Sequence, residues 1–591
     1  MKKIMTKHHL MALLAIAGSW ALTGCTNDDY DLDQVDYTLG FGGAQLTLPG
    51  GNSTTDIPLE DLLKIGDSDL ISTTETGDYV FGKQPEGVNP VDVTIAPITL
   101  TEDKSSGLSF SVNLPEALRL LAGVVVRPAD YGVELKPEGN ISLLNYEFDA
   151  PDAVKALESV GLGTDGVDLT LNVSLPSAVR HIASVGIDLP DYLRMTCTNL
   201  PASGRFDEST NQLTLTDIAG GDIRLNFRVT SIDVAPSAAA DAKNYAVFAN
   251  GKFSLMGFIQ LSINIDELQV PSEPTLELSG SAGFTGISIT SARGQFDPDI
   301  NLTEAGTVTI NSIPEFLTGS EIVADLDNPQ IWLTLHSTMP LGGRIDALLS
   351  SDTYPQGIAL TDDKAIIVKG SADGDTEQDT KVLICRYNPG VDASEYQVIE
   401  DENLPKLVTT LREGMQVRFG INQVKASQET ATVRLGHQYH LTPEYRFTAP
   451  LAFGPEAVVV YTKTEAGWQD DINKASLVNG AYVHLTATAV NKIPANLKLE
   501  VTPLGTNGQP LSATKVEIVK GDVAGVKTGS VESTLEVKVS GDISQLDGIE
   551  LKLKATSNKE LRGVTLNKQL QTLRLKDVSI EVAGKVAYDA N

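Results

Sequence analysis

The chain has 591 residues, with 45 Lys and Arg against 77 Asp and Glu, a formal net charge of −32 and 41% hydrophobic residues. At roughly 150 residues per domain, this length predicts about two to four domains, each able to bury its own core. A surface this acidic repels phosphate backbones, which excludes nucleic acid as a partner class.

Lys2, Lys3 and Lys7 precede an apolar run from Leu10 to Leu22 that contains Gly18 and Ser19. A helix needs about twenty apolar residues to cross a bilayer, so the run predicts a signal peptide over residues 1–24 and not a membrane span. It ends in Leu22-Thr23-Gly24-Cys25, which resembles the lipobox of bacterial lipoproteins. The resemblance implies that the Cys25 thiol carries a diacylglyceryl group, that the chain is cut before it, and that the new amino group is acylated, palmitate being the implied chain. Two or more acyl chains anchor stably, because each buried methylene adds about 0.8 kcal/mol. Residues 25–36, with Asp28, Asp29, Asp31 and Asp33, have almost nothing to bury and are expected to form an acidic tether. The tether also resembles the acidic export signal of surface lipoproteins of the Bacteroidota. That resemblance implies a lipid-anchored protein of the cell outer membrane, exposed on the cell surface. Removal of residues 1–24 takes away three lysines and no acids, which leaves 42 basic against 77 acidic residues, or −35.

From about Tyr37 the dominant pattern is period-two alternation, so the expected fold is mainly β: several domains of antiparallel sheets and β-sandwiches, with a few short helices in the N-terminal half. An internal repeat interrupts the alternation. Pro151-Asp152-Ala153-Val154-Lys155-Ala156-Leu157-Glu158-Ser159-Val160-Gly161-Leu162 recurs as Pro176-Ser177-Ala178-Val179-Arg180-His181-Ile182-Ala183-Ser184-Val185-Gly186-Ile187, and a looser copy starts at Pro115. Proline at the start, apolar positions three apart and glycine near the end predict a helix of about three turns in each copy. A second recurring phrase is Leu189-Pro190-Asp191-Tyr192-Leu193, repeated as Ile313-Pro314-Glu315-Phe316-Leu317.

Loop-like text around Ser203-Gly204-Arg205, Pro236 to Ala240 and Ser371 to Asp379 guides a division into 37–205, 206–350, a linker or extension over 351–425, and a C-terminal β-sandwich over 426–591. In this last part Leu497, Leu499 and Val501, then Leu535, Val537 and Val539, then Leu551 and Leu553, then Val578, Ile580 and Val582 each alternate with other residues. These are expected strands with one buried face.

Several motifs bear on chemistry. Gly161-Leu162-Gly163-Thr164-Asp165-Gly166 matches G-x-G-x-x-G, but it leads into a strand at Val167 instead of opening a helix, so it is not a dinucleotide site. His437 and His440 form an H-x-x-H pair in alternating text; three residues apart on a strand, they point to opposite faces and share no metal. Asp373, Asp375, Glu377 and Asp379 place oxygen ligands at alternate positions, the spacing of a weak calcium candidate, although Gln378 and Ile384 break the EF-hand pattern. Cys197 and Cys385 are the cysteines left beside Cys25; an oxidising compartment permits a disulfide between them, while their apolar neighbourhoods favour two free thiols. No catalytic motif, resident metal or cofactor is expected.

These readings converge on a non-enzymatic, lipid-anchored envelope protein that provides a binding, adhesive or scaffolding surface. Its partners are the membrane, through the lipid, and a glycan or protein. A glycan-binding or glycan-hydrolysing lipoprotein is the first alternative, although only Trp332 and Trp468 remain to stack on sugars after the signal is removed. An apolar-ligand carrier with a cavity between sheets is the second.

Overall fold

The computed structural model describes residues 39–41, 46–47, 56–63, 70–83, 90–99 and 105–588, with breaks at 239–241, 286, 303, 468–474 and 543–544. The signal segment, Cys25, the acidic tether and Trp468 lie outside the described residues. Among the described residues six antiparallel-rich sheets pair into three sandwiches. Two short α-helices, Leu59–Leu63 and Glu116–Arg119, occur among the described residues, both in the N-terminal half.

The first sandwich faces a nine-stranded sheet against a seven-stranded one across a single apolar core that holds Leu171, Phe227 and Ile289 from one sheet and Ile182, Phe253 and Ile259 from the other. Glycine permits the closest approach between the layers: a Cβ on Gly280 would lie 2.8 Å from the Ile141 side chain of the facing sheet. The middle sandwich pairs a five-stranded sheet with a seven-stranded one, and Phe419 of the former meets Tyr445 of the latter edge to face at 6.2 Å. The C-terminal sandwich pairs the sheet built on Ala475–Asn491 and Thr572–Tyr588 with a four-stranded sheet. It contains the strands expected at 497–501, 535–539, 551–553 and 578–582.

The chain threads these sandwiches in reverse. Leu39–Phe41 pairs with the last strand, Leu39 opposite Tyr588. Residues 71–94 then add strands to the middle sandwich, and Ile98–Thr99 and Ser105–Asn113 enter the first. Ala431–Arg434 later crosses from the middle sandwich to pair with Ser288–Phe296 of the first. Residue 205 falls within Gly204–Asp207, inside the first sandwich, and residue 350 within Gly343–Ser351 of the middle one. Sheet membership therefore runs across both edges that composition marked.

The two closest repeat copies are strands, which corrects the expected helices. Each proline opens a single turn, with Val154 N–H donating to Pro151 O at 2.8 Å and Val179 N–H to Pro176 O at 2.9 Å. Val154–Leu162 and Val179–Asp188 then run as strands in opposite sheets of the first sandwich. Their buried positions, Val154, Leu157, Val160 and Leu162, and Val179, Ile182, Val185 and Ile187, share the spacing three, three, two. Register slips at Val154/Ala156 and Leu157/Ser159 in one copy, and at Val179/His181 and Ile182/Ser184 in the other, explain the spacing. A bulge inserts one residue, so the next apolar side chain three positions on returns to the same face. β-Branched valines at both strand starts add a local preference for extended backbone. The looser copy at Pro115 does form a helix, Glu116–Arg119, of four residues. Within the G-x-G-x-x-G phrase Gly163 and Gly166 are left-handed, with φ of +59° and +88°, in the turn that joins the first copy to Val167–Ser174. The G-x-G-x-x-G phrase thus ends a strand, not a helix.

The middle and C-terminal sandwiches share one apolar core, which holds Phe447 of the one and Leu497 of the other, and a buried carboxylate forms an ionic joint beside it. Asp327 is 1% exposed; it lies 3.3 Å from the Arg386 guanidinium and 3.4 Å from that of Arg562, and accepts a 2.6 Å hydrogen bond from the Tyr387 hydroxyl. Arg562 belongs to the connection between Leu546–Thr556 and Thr572–Tyr588, whereas Asp327, Arg386 and Tyr387 flank strands of the middle sandwich. Asp325, next to it, accepts the Glu456 N–H at 2.9 Å, and a Cβ on Gly454 would overlap its carboxylate at 2.3 Å. Removing one partner of a buried ion cluster strands the other charges. Because Arg386 and Arg562 keep partial access to solvent, Asp327→Ala should destabilise the protein by about 1.5–3 kcal/mol, the loss of hydrogen bonds to a charged group, read as a lower urea midpoint; an unchanged midpoint would show that this joint does not help to hold the sandwiches together.

Candidate functional site

The first sandwich carries two exposed features that bear on binding. The first is an apolar tip. Leu120 (83% exposed), Val124, Val125 and Tyr131 lie within twelve residues of one another and are four of the nine exposed large hydrophobic side chains among the described residues. Buried neighbours pin the segment: Leu118 and Val126 enter the core, Gly123 at φ +85° donates to Val270 O at 2.8 Å, and Val125–Val126 pairs with Leu268 and Gln269. Between these anchors Leu120, Val124 and Val125 face outward, while Leu121 packs partly against the core. The tip follows the end of Ser105–Asn113, one edge of the nine-stranded sheet, while the middle sandwich attaches beside Ser288–Phe296 near the other edge.

The second feature is a polar groove of about 360 Å³ on the outer face of the seven-stranded sheet. In-register pairing aligns Asn140, Gln260, Asp188 and Gln212 in one row across four strands. The next row is Glu138, Ser262, Gly186 and Thr214. Adjacent strands stand about 4.8 Å apart, and residues two apart on a strand about 7 Å. Gly186 contributes no side chain to its row, so the floor dips there. Burial and the neighbouring Asp191 push the Asp188 carboxyl up from its ordinary range, against a lowering hydrogen bond from Gln212.

The sequence-predicted residues are distributed elsewhere. Asp373 folds back on its own turn, accepting the Thr376 and Asp375 N–H groups and the Thr376 hydroxyl, and these bonds hold its carboxyl well below the usual range. Asp375 pairs with Arg434, and Asp379 with His336 at 2.7 Å. Among the described residues no group of three or more His, Cys, Asp or Glu is placed to hold a metal ion, so the calcium candidate is not assembled. Cys197 lies in the first sandwich and Cys385 in the middle one, and both thiols are free. Burial raises both, with Cys385 pushed up to about 11.

His437 precedes Gln438–Pro450 and contacts Arg434 at 2.8 Å, whereas His440, on that strand, contacts Asp92 at 2.6 Å. Trp332 is no open stacking platform: the Arg446 guanidinium lies 5.1 Å above its ring and Tyr396 meets it edge-on. An apolar cavity between Phe453, Ile493 and Leu553 measures about 30 Å³, room for little more than a water. The tip had a visible signal, the unpatterned run Leu120-Leu121-Ala122-Gly123-Val124-Val125-Val126. The groove had none, because it exists only in the register of four strands.

No protein-family model and no curated protein matches this chain. Among solved structures, a protein of Parabacteroides distasonis, provisionally described as secreted, overlaps 49% of this chain and 88% of its own at 15% identity and a TM-score of 0.31. A chain from an archaeal virus, described by its triple jelly roll fold and turret assembly, overlaps 84% of this chain and 91% of its own at 10% identity and a TM-score of 0.11. Likenesses this slight transfer neither fold nor activity. No helix among the described residues is long and apolar enough to cross a membrane.

Two histidines each bridge carboxylates from neighbouring strands. His181 contacts Asp266 at 2.6 Å and Asp217 at 2.9 Å, and the Asp266 hydrogen bond is the chief cause of its raised pKa. At His336 burial pulls the pKa down, but the bonds from Asp379 and Glu444 outweigh it and the net shift is upward. A histidine with a raised folded pKa contributes stability that is complete below about 6.5 and is lost as the pH climbs through the folded value. The melting temperature of the wild type should therefore fall as the pH rises through and above 6.5, and His181→Gln with His336→Gln should flatten that slope; equal slopes would remove these pairs as its source.

Proposed function

We propose that this chain is a lipid-anchored protein of the cell outer membrane, displayed on the cell surface, that works as a non-enzymatic binding or adhesive module. The observation that carries the reading is the exposed apolar tip at Leu120, Val124, Val125 and Tyr131, on the sandwich entered last from the tether end. Apolar side chains gathered on a protein surface mark places where a partner covers them.

The path of the chain supports this arrangement. Leu39 pairs with the last strand of the C-terminal sandwich, so a lipid at Cys25 and the tether behind it lead directly into that sandwich. The chain then passes through the middle sandwich to the first, whose tip follows a sheet edge away from the middle sandwich's attachment. Lipidation rests on the lipobox Leu22-Thr23-Gly24-Cys25, and surface display on the acidic residues that follow it. A carrier for apolar ligands finds no support in a cavity of about 30 Å³, since ligand sites run to several hundred.

Cys25→Ala should release the protein from the membrane fraction, and protease added to intact cells should degrade the wild type. Membrane retention of the variant would contradict lipidation, and full protection of the wild type would place it on the inner side of the membrane.

A further inference from the structure

We infer that the groove over Gly186 binds an uncharged glycan strand; this deepens the binding-module reading and rests on it. The lining decides the ligand class. No lysine, arginine or aromatic side chain borders the groove. The basic residues that come nearest are Arg205, one strand beyond and opposite Thr214, and Lys136, two positions before Glu138 and paired with Glu134 at 3.0 Å. Glu138 and Asp188 therefore meet an incoming phosphate, sulfate or uronate as like charges, with no cation among the lining residues to offset them. The two carboxylates belong to no cluster able to hold a metal ion. An apolar ligand would have to desolvate amides and carboxylates without pairing them. An extended peptide that adds to a sheet does so along an edge, and this groove lies on a face.

A polyhydroxylated chain meets every one of these constraints. Its hydroxyls donate to the carboxylates of Asp188 and Glu138 and both donate to and accept from the amides of Asn140, Gln260 and Gln212, each a planar two-pronged group. The amide and carboxylate row spans four strands, about 14 Å from the first to the fourth, so it presents repeated partners along a line. The dip at Gly186 admits a ring between the two rows. Without a stacking aromatic, the contacts are hydrogen bonds exchanged with water, which places the affinity of a single groove near the millimolar end of the scale.

The glycine makes the test clean. A Cβ at Gly186 would meet only the Ser262 Cβ, at 3.9 Å, an ordinary contact, and its φ is not positive, so a larger side chain fits the fold while filling the groove. The chain from residue 26 onward, which contains every described residue, should bind neutral oligosaccharides on an array carrying neutral, uronate-bearing and sulfated glycans. Titration by NMR should then show at least tenfold weaker binding for Gly186→Gln and for Gln260→Ala, with unfolding midpoints unchanged. Absence of neutral-glycan binding, preference for the acidic glycans, or undiminished binding by both variants would each overturn the inference. Because this probe carries no lipid, a chain that fractionates with membranes yet binds no glycan overturns the glycan reading alone.

Discussion

The eighteen-residue strand Lys252–Gln269 is the member on which both surfaces of the first sandwich depend. It pairs with Glu138–Asp149 on one side and Val179–Asp188 on the other, which brings Asn140, Gln260 and Asp188 into one row. Its last residues pair with Val125–Val126 and so hold the apolar tip in place. Its inward residues, Phe253, Leu255, Ile259, Leu261, Ile263 and Ile265, are almost wholly buried. A one-residue slip in this strand would turn those six side chains to solvent and move Gln260 and Ser262 into the core. The register, and with it the groove, is fixed by burial on the face opposite to the groove itself.

Strand content was legible wherever apolar residues alternate, and this holds for the C-terminal sandwich. It was illegible in the repeats because apolar spacing of three fits two structures: a helix face, and a strand bulged every third residue. Local sequence does not separate them; the partner strands do. Gly294 stands where Val154–Leu162 bulges, and a Cβ there would lie 2.0 Å from Ala156 O, so the bulge is written partly in a residue more than a hundred positions away. The same non-locality hid the groove. Asn140, Asp188, Gln212 and Gln260 are unremarkable in sequence and become a row only through three antiparallel registers.

Composition misplaced the domain edges for a related reason. Pro-, Gly- and Ser-rich text marks loops, and the Ser203 and Ser371 regions are indeed a turn and a loop. A sandwich, however, is closed by strands from distant parts of the chain, and loops within a sheet resemble loops between domains. The order of the sandwiches, C-terminal first along the chain, follows from two- and three-residue strands such as Leu39–Phe41 and Ile98–Thr99 that are too short to read as periodic. That order sets Leu39–Phe41, the first described strand, and the apolar tip in different sandwiches.

The acid excess ties these features together. Each of the five histidines from His181 onward lies within 4 Å of a carboxylate, as expected where acids outnumber bases by almost two to one in the chain. Many acids among the described residues are exposed nevertheless, and at physiological salt their repulsion reaches about 8 Å from the surface. Two copies of the chain therefore repel one another over their bodies, which opposes burial of one apolar tip against another copy's sheet faces. An uncharged ligand in the groove, by contrast, feels no such barrier. The net charge thus disfavours self-association and the approach of acidic polymers, whereas it raises no such barrier to an uncharged molecule.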